Sequence, residues 1–206
     1  MKFFPRLGGY LFRKYQACTP ISCVDSPRND LMRGWRRWQW LARQRRAGCL
    51  LEPSIRVVGE FSSLEKRLVF GQGTYVDHGV IFWNGQAAGV IKLGLGVYIG
   101  PYCYLGTSTH TLRIGDYTMI GAQCYIITEN HSTGRRDIPY AQQPFVGSDV
   151  NIGMNVWLGC HVTVLPGVTI GDGAIVGAGA VVTKSIPVGE TWVGVPARRV
   201  ERKARQ

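Results

Sequence analysis

Four histidines are the side chains of this 206-residue chain best suited to moving a proton near neutral pH: His78, His110, His131 and His161. His131 stands apart because it opens a long segment rich in Pro, Gly, Asn and charged residues, which interrupts a regular pattern of aliphatic residues. Long ordered loops on rigid scaffolds are where functional groups concentrate. The other three lie in regular six-residue units or in a short insertion, so we expect them to be structural or solvated.

Two other chemistries are disfavoured by the spacing of their residues. A zinc site needs several histidines close together, whereas no HxxxH or similar pair occurs, so we expect no metal. Cys124 and Cys160 could suggest a covalent intermediate, but neither has an evident base paired with it. The six cysteines show no CxxC or compact disulfide spacing, which favours reduced, mostly buried thiols in a cytoplasmic protein.

The element that must position these groups is a six-residue repeat over 146–196. Its units read VGSDVN-IGMNVW-LGCHVT-VLPGVT-IGDGAI-VGAGAV-VTKSIP-VGETWV, each opened by an aliphatic residue, from Val146 to Val188. The fifth position is small or β-branched, except at Trp192. A period this short indicates a solenoid. Six residues give a short strand and a corner, three units close a triangular coil, and positions one and five point inward. The fold class is therefore an all-β solenoid, a parallel β-helix.

The repeat is looser upstream of residue 146. It begins near Phe70 and Val76, breaks around 83–91, and returns with insertions in TSTHTLR and in ITENHSTGRRDIPYAQQPF. Val146, the next aliphatic residue in register, stands twenty residues after Ile126, where six would keep the period. About fourteen residues therefore leave the coil. We expect a protruding loop at about 128–145.

The net charge of +11 is concentrated at the two ends of the chain. We divide the chain into a basic N-terminal helical extension (1–54), the β-helix (55–196) and a basic tail (197–206). In 30–47, Leu31, Trp35, Trp38 and Ala42 form one helical stripe, with Met32 and Leu41 beside it. The stripe favours a cap on the open end of the solenoid. A basic helix on an anionic membrane surface is the alternative, and nucleic acid is not expected because no recognition motif is present. No long apolar run or secretory core occurs, so we expect a cytoplasmic protein, with a peripheral position on the inner membrane face as the alternative.

The segment VNIGMNVWLGCHVTVLPGVTIGDGAIVGAGAVVTKSIP, followed by GVPARRV, resembles the hexapeptide-repeat acyltransferases, closest to the maltose, galactoside and polysaccharide O-acetyltransferases. The resemblance covers roughly 90–200. It implies a left-handed parallel β-helix, against the usual right-handed crossover, and homotrimers whose sites lie in grooves between subunits. It also implies acetyl-CoA as co-substrate.

The same resemblance assigns site residues. The family's catalytic histidine lies seventeen residues after the Ile of an IGD unit, which is His131 here, as general base. Glu129, Asp137 or a backbone carbonyl would each serve to orient it. Implied cofactor-binding residues are Trp157, Gly159, Cys160, Ala178, Thr183, Lys184 and Arg198, with Glu201 in place of a second family Arg.

The acceptor site departs from the galactoside pattern, because Pro101 and Thr109 stand near the places of the family's Asn and Asp. The acceptor candidates, by loop placement, include Tyr104, His110, Arg135 and Gln143. The expected function is transfer of acetyl from acetyl-CoA to a saccharide hydroxyl by direct attack. The alternatives are N-acylation of an amino sugar or small amine, and a non-catalytic scaffold.

Overall fold

A helix and an aromatic cluster cover one end of the molecule. The computed structural model describes residues 39–59, 64–85 and 88–201. Helix α1 runs over 39–46, and its Trp40 is 2% exposed. The Trp40 ring packs edge-on against Phe70, and Phe70 packs against Phe82, each pair with ring centroids 5.3 Å apart. A tryptophan buried on the end of the core supports the interpretation of this helix as a cap.

The predicted stripe on this helix is only partly tested. Leu31, Met32, Trp35 and Trp38 lie outside the described residues, while Leu41 and Ala42 are half-buried. Trp40 lies off the predicted stripe yet is the buried residue of the described helix, because its ring packs against Phe70 of the first coil. No helix in the described part of the chain is long and apolar enough to span a membrane.

The strands are short and numerous. Their bounds are β1 Leu50–Leu51, β2 Arg56–Gly59, β3 Leu68–Phe70, β4 Tyr75–Val76, β5 Ile81–Asn84, β6 Val90–Leu93, β7 Tyr98–Ile99, β8 Tyr104–Thr107, β9 Thr111–Ile114, β10 Met119–Ile120, β11 Tyr125–Ile127, β12 Glu129–His131, β13 Phe145–Gly147, β14 Val150–Ile152, β15 Trp157–Leu158, β16 Thr163–Val164, β17 Thr169–Ile170, β18 Ile175–Val176, β19 Val181–Val182, β20 Thr191–Val193 and β21 Arg198–Arg199. A short helix α2, Leu64–Arg67, precedes β3, and a 3₁₀ turn spans Tyr140–Gln142.

Three parallel sheets form the sides of a triangular prism. Sheet A has the order β1-β4-β7-β10-β15-β18-β20, with β21 added antiparallel at its end. Sheet B has the order β2-β5-β8-β11-β16-β19, and sheet C the order β3-β6-β9-β14-β17. The chain visits A, B and C in turn, so each coil contributes one strand to each side. The corner between sheets B and C is therefore the edge of the prism opposite sheet A.

Aligned aliphatic side chains fill the prism. One inward column from each sheet follows the strand register, and the members are buried: Val76, Ile99, Ile120, Leu158 and Val176 in A; Phe82, Leu105, Ile126, Val164 and Val182 in B; Phe70, Leu93, Ile114, Ile152 and Ile170 in C. The small fifth positions, including Cys103 and Cys124, are buried too. Continuous stacking of this kind buries apolar area in every coil and stabilises the solenoid.

The repeat is shorter at both ends than the sequence pattern suggested. Val146 is 52% exposed because it belongs to β13, outside the coil, and Val188 is 71% exposed in a turn. The inward column of sheet C ends instead at Ile186, which bridges Ile170. The β-helix as a whole starts earlier than the predicted residue 55, because β1 already pairs with β4.

Candidate active site

The corner between sheets B and C is where the chain departs from the regular coil. At coils two, three and four the sheet B strands end in polar residues, Asn84, Thr107 and Thr128, which are all buried. The Thr128 hydroxyl donates to Thr107 Oγ1 at 3.1 Å, and Thr107 donates to the His110 carbonyl. The Asn84 amide donates to the Gly89 carbonyl at 3.0 Å. These contacts satisfy backbone groups that leave the ladder, and they fix the start of each insertion.

Glu129 organises the insertion after β8. Its Oε1 accepts hydrogen bonds from the Ser108 amide (3.0 Å), the Thr109 amide and hydroxyl (2.9 Å for the hydroxyl) and the His110 amide (3.2 Å), and lies 3.1 Å from His110 Nδ1. Its Oε2 is buried and has no hydrogen-bond partner among the described residues. Burial by itself would raise the pKa of Glu129, but the hydrogen bonds from Thr109, His110 and Ser108 outweigh it and hold the pKa below its ordinary value. Glu129 is therefore an ionised carboxylate inside the corner.

His131 lies at the end of a two-stranded antiparallel ribbon, β12 with β13, that extends from the same corner. It faces Phe145 across the ribbon, with ring centroids 4.2 Å apart. Its Nδ1 is 3.4 Å from the Gln143 carbonyl oxygen. A carbonyl only accepts, so this contact favours the tautomer with the proton on Nδ1 and leaves Nε2 with a free lone pair.

Of the three groups suggested by the sequence as orienting His131, the backbone carbonyl is the one in contact. Glu129 is turned toward residues 108–110, and Asp137 pairs with the Arg135 guanidinium. The carbonyl belongs to Gln143, whose side chain is 2% exposed. The Gln143 amide donates to the Arg135 carbonyl at 2.6 Å and accepts from the Arg135 amide at 3.2 Å. The Gln143 side chain thus braces the loop that carries His131 and is not presented to solvent.

Tyr104 and Arg135 lie on the surface of this region. Tyr104 is on the outer side of sheet B and stacks on Tyr125 in the next coil, with centroids 4.9 Å apart. Arg135 is exposed in the loop and is neutralised by Asp137. Thr183 and Lys184 follow β19 at the same corner, two coils beyond the ribbon, and both are exposed.

The remaining candidates are on other sides of the prism. Trp157 is on the outer side of sheet A and 49% exposed, and Arg198 is in β21 at the end of that sheet. Gly159, Cys160 and Ala178 form the corner between sheets A and B. A Cβ on Gly159 would lie 2.6 Å from the Ala178 nitrogen, so only glycine allows these two coils to stack so closely.

The structure therefore separates the candidates into two groups. The base side, at the corner between sheets B and C, holds His131 and His110, with Thr183 and Lys184 farther along. The groove side, on sheet A and its corner with sheet B, holds Trp157, Cys160 and Ala178. Because the B–C corner is opposite sheet A, Trp157 and His131 of one chain face away from each other across the core. In the described parts of the chain, no three His, Cys, Asp or Glu side chains are grouped as a metal site would require.

Comparison with known proteins bears on the repeat and on the fold. Residues 149–184 match the family described as bacterial transferase hexapeptide (six repeats). This match identifies hexapeptide repeats in the regular part of the coil. No curated protein sequence matches the chain.

Solved structures share the fold of this hexapeptide-repeat protein. AntD, an N-acyltransferase from Bacillus cereus in complex with dTDP and 3-hydroxybutyryl-CoA, is 22% identical, with a TM-score of 0.62 over 77% of this chain and 80% of that chain. A galactoside acetyltransferase in complex with coenzyme A is 26% identical, with a TM-score of 0.52 over 68% of each chain. A hexapeptide-repeat-containing acetyltransferase from Vibrio cholerae is 22% identical, with a TM-score of 0.51 over 86% of this chain and 93% of that chain. The expected fold, a left-handed parallel β-helix, is confirmed.

Sequence reasoning overlooked the contacts of Glu129 in this hexapeptide-repeat protein. Glu129 was considered only as a partner of His131, two residues along the chain. A signal was present, because Glu129 follows β11 at the corner that Ser108 and Thr109 occupy after β8, one coil earlier. The strand register between β8 and β11 was needed to connect the two positions.

Proposed function

We propose that this protein is an acyl-CoA-dependent acetyltransferase that acylates a hydroxyl of a saccharide or saccharide conjugate. The observation that carries the proposal is His131, an exposed imidazole whose Nδ1 faces a carbonyl and whose Nε2 is free. The AntD and galactoside acetyltransferase structures, which contain an acyl-CoA and coenzyme A, support the choice of co-substrate.

The proposed reaction is a direct transfer. The acceptor oxygen attacks the thioester carbon while its proton passes to His131 Nε2. A carbon–oxygen bond forms, the carbon–sulfur bond of the tetrahedral intermediate breaks, and the imidazolium returns the proton to the departing thiolate. The Gln143 carbonyl orients the ring and stabilises the imidazolium through Nδ1–H. A correctly placed base of this kind contributes about 10²–10⁴-fold to the rate.

The proposed donor site joins two chains. Trp157, Gly159, Cys160 and Ala178 of one subunit would line the groove for the pantetheine arm, and His131 would come from the next subunit. Thr183 and Lys184 of the subunit that supplies His131, together with Arg198 of the subunit that supplies Trp157, would bind the nucleotide end. This arrangement follows from the separation of base side and groove side in one chain, and we propose a homotrimer about a threefold axis.

The outer surfaces of the prism support that assembly. Outward residues on sheets A and B are mostly apolar or aromatic, whereas those on sheet C are charged or polar apart from Val69. They are Leu50, Tyr75, Tyr98, Met119, Trp157 and Ile175 on A; Ile81, Tyr104, Tyr125, Thr163 and Val181 on B; Val69, Lys92, Arg113, Asn151 and Thr169 on C. Subunit contact through A and B would cover the apolar columns and leave C to solvent.

N-acylation of an amino sugar or small amine is the second candidate. The similarity to AntD, an N-acyltransferase, favours it. An amine in its neutral form attacks a thioester more readily than a hydroxyl, so this reaction depends less on a general base. The two reactions therefore differ in their expected sensitivity to loss of His131.

Thiol release from acetyl-CoA with a panel of neutral sugars, amino sugars and water tests the proposal. We expect turnover with a neutral sugar, and a loss of about 10²–10⁴-fold in kcat for His131→Ala. His78→Asn is the matched control, because His78 is also exposed but lies in the second coil, away from the base side and three coils before Cys160. Turnover only with amino sugars would favour N-acylation. An unchanged rate in His131→Ala would refute the role of His131, and no thiol release at all would favour a scaffold.

A further inference from the structure

A second histidine at the base side has the partners of a functional imidazole. His110 Nδ1 lies 3.1 Å from Glu129 Oε1 and 2.9 Å from Thr109 Oγ1. The His110 side chain is 31% exposed, whereas the Glu129 side chain is 5% exposed. The carboxylate is thus held inside the corner while the imidazole reaches the surface.

The hydrogen bonds fix which ring nitrogen is available. The Thr109 hydroxyl uses its proton to donate to Glu129 Oε1, so its oxygen can only accept from His110. An ionised carboxylate also only accepts. Both neighbours of Nδ1 are therefore acceptors, and the proton of neutral His110 resides on Nδ1. His110 Nε2 keeps its lone pair and lies away from the corner.

His110 and His131 are connected through one strand. Residues two apart on a strand share a face and lie about 6.6 Å apart. Glu129 and His131 stand in this relation on β12. Because Glu129 contacts His110 directly, His110 is linked to the face of β12 from which His131 also projects.

We propose that His110, held by Glu129, is an acceptor-binding residue whose Nε2 accepts a hydrogen bond from a second hydroxyl of the saccharide. This inference rests on the proposed function and defines its substrate class. The acceptor carries a hydroxyl close to the one that His131 deprotonates. Glu129 acts through His110 as a positioning residue, because its own oxygens are buried.

Kinetics with matched variants test the proposal. His110→Asn retains an N–H near the position of Nδ1 but lacks the outer nitrogen. With a methyl glycopyranoside as acceptor, we expect the acceptor KM of His110→Asn to be about tenfold above that of the parent, as for loss of one hydrogen bond of about 1.4 kcal/mol. The KM for acetyl-CoA should not change. His78→Asn removes another carboxylate-bound histidine, 2.7 Å from Asp77, and should leave both KM values unchanged.

The monodeoxy analogues of that glycoside identify the hydroxyl. With the parent protein, one deoxy analogue should have a kcat/KM about tenfold below that of the full glycoside. With His110→Asn, that analogue and the full glycoside should have the same kcat/KM. Equal losses with both proteins for every analogue would overturn the proposal. If the parent turns over sugars but the acceptor KM of His110→Asn is unchanged, only the role of His110 fails. If the parent turns over no sugar, the proposed function itself fails.

Nitrogen NMR of the histidine rings gives a readout independent of turnover. At pH 8 we expect His110 in the Nδ1–H tautomer, and a shift of its Nε2 resonance on addition of the methyl glycopyranoside. The signals of His78 should not respond to the sugar. A His110 ring protonated on Nε2, or one indifferent to a sugar that the enzyme acylates, would overturn the proposal.

Discussion

The coils after residue 150 and the corner that carries residues 107–147 use different means to hold the chain. In the later coils, aliphatic columns and glycine-permitted close stacking leave almost no polar group inside. At the corner, buried Thr107, Thr128 and Glu129 replace the apolar pattern and bind the backbone of the insertions. Close packing fixes the backbone in the later coils, whereas hydrogen bonds from buried side chains fix it at the corner. The proposed base side lies at the hydrogen-bonded corner, and the proposed groove side lies in the closely packed coils.

Tight stacking in the later coils predicts the largest effect on stability. Gly159→Ala would place a Cβ 2.6 Å from the Ala178 nitrogen, so the two coils must separate. We expect a decrease of about 3 kcal/mol in the free energy of unfolding. Denaturant unfolding followed by circular dichroism measures it.

Gly134→Ala is the matched control from the insertion. A Cβ there meets only Ser132 Oγ, at 3.7 Å, so the change should stay within about 0.5 kcal/mol. Equal effects at both glycines would contradict the contrast between the two regions.

Removing the charge of Glu129 at the insertion corner should lower the free energy of unfolding by a smaller amount than Gly159→Ala. Glu129→Gln should cost about 2 kcal/mol at pH 7, because one oxygen serves several donors. The pKa of Glu129 is lowered on folding, so its contribution is complete above the unfolded-state value of about 4.3 and is lost as the pH falls through the lower folded-state pKa.

Thermal unfolding at a series of pH values checks this dependence. The difference in Tm between the parent and Glu129→Gln should be constant near neutral pH and shrink in acid. A difference that grows as the pH falls would show that the carboxylate is not stabilised in the folded state.

The sequence predicted the regular region well because its rule is local. Residues 152–182 repeat one pattern, and every aliphatic first position there is buried. The rule failed at Val146, which fits the period but lies outside the coil, and at Val188, which lies in an exposed turn of the last coil. The six-residue period shows which positions carry aliphatic residues, but it does not show whether a position still belongs to a strand of the coil.

The irregular region depends on contacts between distant residues, which one sequence does not reveal. Trp40 is buried because its ring meets Phe70, thirty positions away. Glu129 reaches Ser108 through the register of two coils. The position of His131 on a protruding ribbon was expected from the length of the insertion, whereas its contact with the Gln143 carbonyl required the loop geometry.

Mixing two inactive variants tests most directly the claim that base side and groove side meet only between subunits. His131→Ala removes the base, and Ala178→Trp fills the groove at an exposed corner position. Co-refolded in equal amounts, the two should recover about one quarter of the parent rate of thiol release, because one pairing of neighbours in four joins an intact base side to an intact groove side. If instead the base and the groove of each site came from the same chain, every site in the mixed oligomers would lack one of them, and no activity would return. Mixed oligomers without recovered activity would therefore contradict the account.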